Sequence, residues 1–80
     1  MKRVIYTAGA LASLMKHRAV AARLRAKMER YATTGAGDVK ALAGRSEKRL
    51  RDGDFRIIFQ EDATEIHVTR IGPRGAVYED

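Results

Sequence analysis

An α+β fold, one mostly antiparallel sheet with two N-terminal helices on one face, is predicted by three features of this sequence. Apolar residues recur at helical spacing from Ala8 to Tyr31. From Lys48 onward they alternate with polar ones, as in strands with one buried face. Between the two halves of that alternating stretch stands Arg51-Asp52-Gly53-Asp54, a hairpin turn signal.

Taken in order, Arg3–Tyr6 (RVIY) is β-branched and aromatic and reads as a first strand. Thr7 can cap the helix that follows by accepting a backbone N–H bond. Leu11, Leu14 and Met15 form one stripe; Val20, Leu24, Met28 and Tyr31 form another. The stripes do not join smoothly across Lys16-His17-Arg18, which predicts two helices packed as a hairpin rather than one rod. The second helix should end at the glycines of Thr33-Thr34-Gly35-Ala36-Gly37. DVKALAG (38–44) is ambiguous and compatible with a helical turn. Strands follow at 46–51, 54–60 and 64–71, with a turn at Glu61-Asp62-Ala63. Gly72-Pro73-Arg74-Gly75 reads as a turn before a short end strand, Ala76-Val77-Tyr78. The order is β-α-α-β-β-β plus the end strand, in a single domain spanning 1–80.

The alternation also sorts charge. With Leu50, Phe55, Ile57 and Phe59 on the helix side, Arg49, Arg51 and Arg56 collect on the open side, and Arg74 follows in the Gly-Pro turn. No carboxylate is expected opposite them, so the face suits a polyanion. The net charge of +6 is uneven: residues 1–51 carry thirteen cations against three anions, and residues 52–80 three against seven. That excess favours nucleic acid or an acidic protein partner.

Other chemistries find little support. There is no cysteine, which removes disulfides and thiolate metal sites and fits the cytoplasm. No apolar run approaches the ~20 residues of a membrane span, and MKRVIYTAG lacks a signal-peptide core of about 7–15 residues. A soluble cytoplasmic protein is expected. Neither Ser13 nor Ser46 sits in a nucleophile motif, His17 and His67 have no metal-ligand spacing, and no glycine-rich phosphate loop precedes a helix. No metal and no cofactor are called for.

Residues 42–78 carry a more specific signal: Leu42/Gly44, then RLRDGDFR (49–56), then IGPRGAVY (71–78). Together these resemble the second half of the RelE/ParE superfamily of bacterial toxins, and the strand-helix-helix layout before them agrees. The resemblance implies a ribosome-dependent mRNA endonuclease, held inactive by a cognate antitoxin, that cleaves by attack of an RNA 2′-hydroxyl on the adjacent phosphate. It places Arg56 at the scissile phosphate, Arg74 near the leaving oxygen and Arg49 where RelE has a lysine beside the phosphate. Tyr78 ends the V-Y motif as the fourth catalytic candidate. Arg45, Lys48 and Arg51 are the implied RNA contacts. Glu47 stands where RelE has its other active-site lysine, with Lys48 one position along. Two residues follow Tyr78 in this sequence, where RelE continues into a helix.

Physical chemistry limits the roles. Guanidiniums match the charge that gathers on phosphoryl oxygens in the transition state, but an arginine with a pKa above about 12 is a poor proton carrier. Tyr78 can relay a proton if cations lower its pKa, and His67, expected on the open face, is a further candidate. Two alternatives stay open: a ParE-like inhibitor of DNA gyrase, without nuclease chemistry, and a weakened remnant that still binds antitoxin.

Overall fold

The computed structural model describes residues 1–44 and 46–76. Seven elements follow one another: β1 (Arg3–Tyr6), α1 (Ala8–Lys16), α2 (Arg18–Thr34), β2 (Val39–Ala41), β3 (Lys48–Asp52), β4 (Phe55–Glu61) and β5 (Glu65–Pro73). The strands form one sheet in the order β1-β5-β4-β3-β2. Only β1 and β5 run parallel; the other neighbours are antiparallel.

Local chemistry sets the helix limits. The Thr7 hydroxyl accepts from the Ala10 amide at 3.1 Å and caps α1. His17 alone separates the helices; its φ of −110° and ψ of 54° interrupt the helical path where the two stripes fall out of phase. Gly35 closes α2 in the left-handed region at φ 76°, donating its amide to the Tyr31 carbonyl at 2.8 Å. The α2 stripe forms as expected, with Leu24 and Met28 buried beside Ala32. In α1 the buried pair is Ala10 and Leu14, one turn apart, while Leu11 and Met15 are exposed. A small residue was the better guide there, because Ala10 lets the helix approach the sheet closely.

One core holds the layers together: Ala10, Leu14, Leu24, Met28 and Ala32 from the helices meet Leu50, Ile57, Phe59, Ile66, Val68 and Ile71 from the sheet. Leu50 lies opposite Ile57, and Arg49 and Arg51 opposite Ile58 and Arg56, so the predicted division of faces is observed. Asp52 pairs with Phe55 across Gly53-Asp54, and only Gly53 takes a positive φ, 61°, which matches a type II′ turn.

Three expectations are corrected. DVKALAG holds a strand, not a helical turn: Val39–Ala41 pairs with β3 as the sheet's edge. Three residues are too few for periodicity to speak. The last strand continues through Gly72 to Pro73, and the turn comes after it, with Ala76 in the turn; the rest of the expected end strand, Val77 and Tyr78, lies outside the described residues, as does Arg45. Finally, β5 does not alternate evenly. Ile58 pairs with Arg70 and Phe59 with Val68, so Thr69 bulges without a partner. This resets the phase: Ile66, Val68 and Ile71 all reach the core, and Arg70 turns to the open face.

Candidate functional site

The open face carries a shallow cavity of about 730 Å³ at its hairpin end, and Arg49, Arg51, Arg56 and Arg74 all line it, with Lys40 and Asp54. Strand register explains the convergence. Lys40, Arg49 and Ile58 stand in one row across β2, β3 and β4, and Arg51, Arg56 and Gly72 in the next across β3, β4 and β5. Gly72 presents no side chain beside Arg56. Arg74 is brought in from the chain following β5 by a backbone bond, its amide donating to the Asp54 carbonyl at 2.6 Å.

The arginines are not equivalent. Arg56 is 6 % exposed, and its Nη1 donates to the carbonyls of Gly53 at 2.8 Å and Phe55 at 3.0 Å. It therefore braces the hairpin turn as well as facing the cavity. The Arg49 side chain is 18 % exposed, and its buried Nε has no partner in the structure. A buried donor left unsatisfied costs about 1–3 kcal/mol. Arg51 and Arg74 are open to solvent.

The face is not free of carboxylate, contrary to expectation. Asp38, just before β2, places its oxygens 3.6 Å from Arg51 Nε and 3.9 Å from Arg49 Nη2. These are charge contacts rather than hydrogen bonds. The residues that sequence reasoning missed, Asp38 and Lys40, both belong to the segment whose strand was too short to read; Arg70, whose facing the bulge hid, shares the open face but does not line the cavity.

Lys48, expected as an RNA contact, is not brought into this cavity. It shares a side of β3 with Leu50 and Asp52, and alternation turns it toward the helices. There Lys48 Nζ lies 2.8 Å from Glu61, which also takes Lys2 Nζ at 2.5 Å and the Tyr31 hydroxyl. Burial works against the Glu61 charge, but the three donors outweigh it and hold the carboxyl at about 2. The bond to Glu61 raises Lys48, with burial acting against it; burial, with the neighbouring carboxylate, raises the Tyr31 phenol.

His67 faces the open side as expected, opposite Gln60, but it is not brought into the arginine cavity. It lines a second depression with Ser46, Gln60 and Thr69. Its Nε2 lies 3.1 Å from Glu65. Asp62, Glu65 and His67 have ligand-type atoms within 4.8 Å of one another. One Asp62 oxygen already accepts the amides of Thr64 and Glu65, both at 2.8 Å, as in an ordinary turn.

No protein-family model matches the chain, and no curated protein matches it in sequence. Solved structures do match. The chain superimposes on YafQ from E. coli with a TM-score of 0.76 at 11 % identity, over 99 % of this chain and 100 % of the other. Against the RelB–RelE antitoxin–toxin complex from Methanococcus jannaschii the TM-score is 0.73 at 20 % identity, covering 92 % and 94 %. Against the RelBE2 toxin–antitoxin complex from Mycobacterium tuberculosis it is 0.61 at 18 %, covering 91 % and 98 %. The chain has the RelE-like toxin fold, in which two helices cover one face of a five-stranded mixed sheet.

Proposed function

We propose that this chain is the toxin of a type II toxin–antitoxin pair and acts as a ribosome-dependent mRNA endonuclease. The observation that carries the reading is the convergence of Arg49, Arg51, Arg56 and Arg74 on one cavity, in the face the helices leave uncovered. The shared fold sets the context: RelE and YafQ, which have it, were solved with the antitoxins RelB and DinJ.

In the proposed reaction the substrate supplies its own nucleophile. A 2′-hydroxyl attacks the adjacent phosphorus, the bond to the 5′-oxygen breaks, and the products are a cyclic phosphate and a 5′-hydroxyl. Negative charge accumulates on the phosphoryl oxygens on the way. Fixed guanidiniums lower that barrier because they are already charged and oriented. Arg49, which lines the cavity, and the solvent-open Arg51 and Arg74 are the phosphate-binding groups; Arg56 adds charge and holds the turn. The ribosome, by positioning the mRNA, supplies the orientation that so few groups do not, which places the activity in the cytoplasm.

An antitoxin with acidic residues in an extended or amphipathic segment suits the basic surface and would neutralise the cavity on binding. The test is a short induced pulse of wild type and of Arg74→Ala in a bacterial host, with primer-extension mapping of a translated mRNA. Arg74 is the chosen position because its side chain is exposed and its backbone bond to Asp54 survives truncation. New 5′ ends within the reading frame for wild type, reduced at least 10-fold in the variant, are expected. Growth arrest with intact mRNA refutes the nuclease reading in favour of a ParE-like target. Neither arrest nor cleavage leaves an antitoxin-binding remnant.

A further inference from the structure

We infer that Asp38 is an affinity-setting residue of the arginine cavity, a carboxylate of the chain itself that competes with RNA phosphate for Arg49 and Arg51. This rests on the reading of the cavity as a phosphate-binding site.

Asp38 is held in place by its backbone. The Arg51 amide donates to the Asp38 carbonyl at 3.0 Å, continuing the β2–β3 ladder by one residue. The side chain is thereby delivered between two guanidiniums that lie on the same face of β3. Its oxygens approach them to 3.6 and 3.9 Å, close enough to cancel charge and too far to occupy N–H donors. The approach to Arg49 is at Nη2, on the guanidinium that lines the cavity. The donors needed by a phosphate are preserved while the field that attracts it is reduced.

The arrangement has a functional consequence. A bare cluster of arginines binds any polyanion, and its non-specific affinity would sequester the protein on bulk RNA and DNA. Asp38, 60 % exposed and unhindered by a packed core, swings aside at small cost when a phosphate is presented in the right place. It exacts a penalty from every weaker encounter.

The experiment measures binding of a fluorescent single-stranded RNA oligonucleotide across a salt series, for wild type, Asp38→Asn, Asp38→Ser and Glu29→Gln. The asparagine keeps the backbone bond and the side-chain size; the serine removes the charge by a different route, and thermal melts identify any variant that fails to fold. Glu29 is exposed on α2, so its replacement changes net charge equally, away from the cavity. The expected result is about two- to five-fold tighter binding at low salt for both Asp38 variants, the range of an exposed ion pair. The log–log salt slope should steepen by up to about 0.7, one single-strand phosphate contact. Glu29→Gln should match wild type. Equal affinity for wild type and the Asp38 variants overturns this inference alone, as does an equal gain in Glu29→Gln. Absence of RNA binding in every protein overturns the phosphate-site reading together with it.

Discussion

Acid should destabilise this protein in part through Glu61, and the size of that part follows from the structure. The carboxylate lies among Lys2, Lys48 and Tyr31 with its side chain 10 % exposed. Its pKa falls from 4.5 to about 2 on folding. A depressed folded-state value means that the ionised form stabilises the fold above the unfolded pKa. That contribution is lost as pH falls through 4.5 toward 2. The full difference is about 3 kcal/mol, of which about 2 kcal/mol is gone by pH 3. For a domain of this size, total stability is on the order of 4–12 kcal/mol, so the loss is a large share. Urea melts followed by circular dichroism at pH 6 and pH 3 measure it. Other carboxylates titrate over the same window, so the informative quantity is the difference between wild type and Glu61→Gln. The variant should be the less stable at pH 6 and should lose about 2 kcal/mol less than wild type on going to pH 3. Parallel pH dependences in the two proteins would refute the assignment and move the acid-sensitive interaction elsewhere.

Three further substitutions probe the scaffold rather than the site. Leu50→Ala or Ile57→Ala, each at 1 % exposure or less between the helices and the sheet, should cost about 2–5 kcal/mol in a denaturant melt; a loss under about 1 kcal/mol would mean that the core repacks around either position. Gly53→Ala places a side chain at φ 61° in the hairpin turn, where the nearest atom it would meet is Arg23 Nη2 at 3.9 Å. Backbone strain rather than a clash should therefore destabilise it by about 1 kcal/mol. An unchanged melting temperature would show that the turn re-forms with another geometry.

Most of the fold was legible because its periodicities are long enough to read. Seventeen residues of α2 gave Leu24 and Met28 several turns in which to declare one face, and the β3–β4 alternation ran unbroken through a turn that glycine identifies. What stayed hidden was short or out of phase. In Val39–Ala41 three residues do not distinguish a strand from a turn, and Asp38 and Lys40 were lost to view with it. In β5 the bulge at Thr69 broke the period by one residue, which is enough to send Arg70 to the opposite face. The arginine cluster was legible for the converse reason: Arg49, Arg51 and Arg56 lie on the part of the sheet where no irregularity intervenes.

The placement of Lys48 points to the principle by which this chain uses its charges. Along Lys48-Arg49-Leu50-Arg51-Asp52 the residue type predicts nothing about destination; the alternate position decides it. Lys48 and Asp52 turn to the helix side, where each has a partner of opposite sign, Glu61 at 2.8 Å and Arg23 at 2.8 Å. Arg49 and Arg51 turn to the open side, where the carboxylate of Asp38 stands off from both. The acidic residues of the C-terminal half are thus spent partly on fastening the sheet to α2 and to the N-terminus, through Asp52 and Glu61. That leaves the cations on the far face in excess. A one-residue shift of β3 would exchange the two sets, bury two guanidiniums against the helices and dissolve the cavity. The register that protects the core is the same one that gathers the arginines, so the stability of the fold and the cavity depend on a single choice of phase.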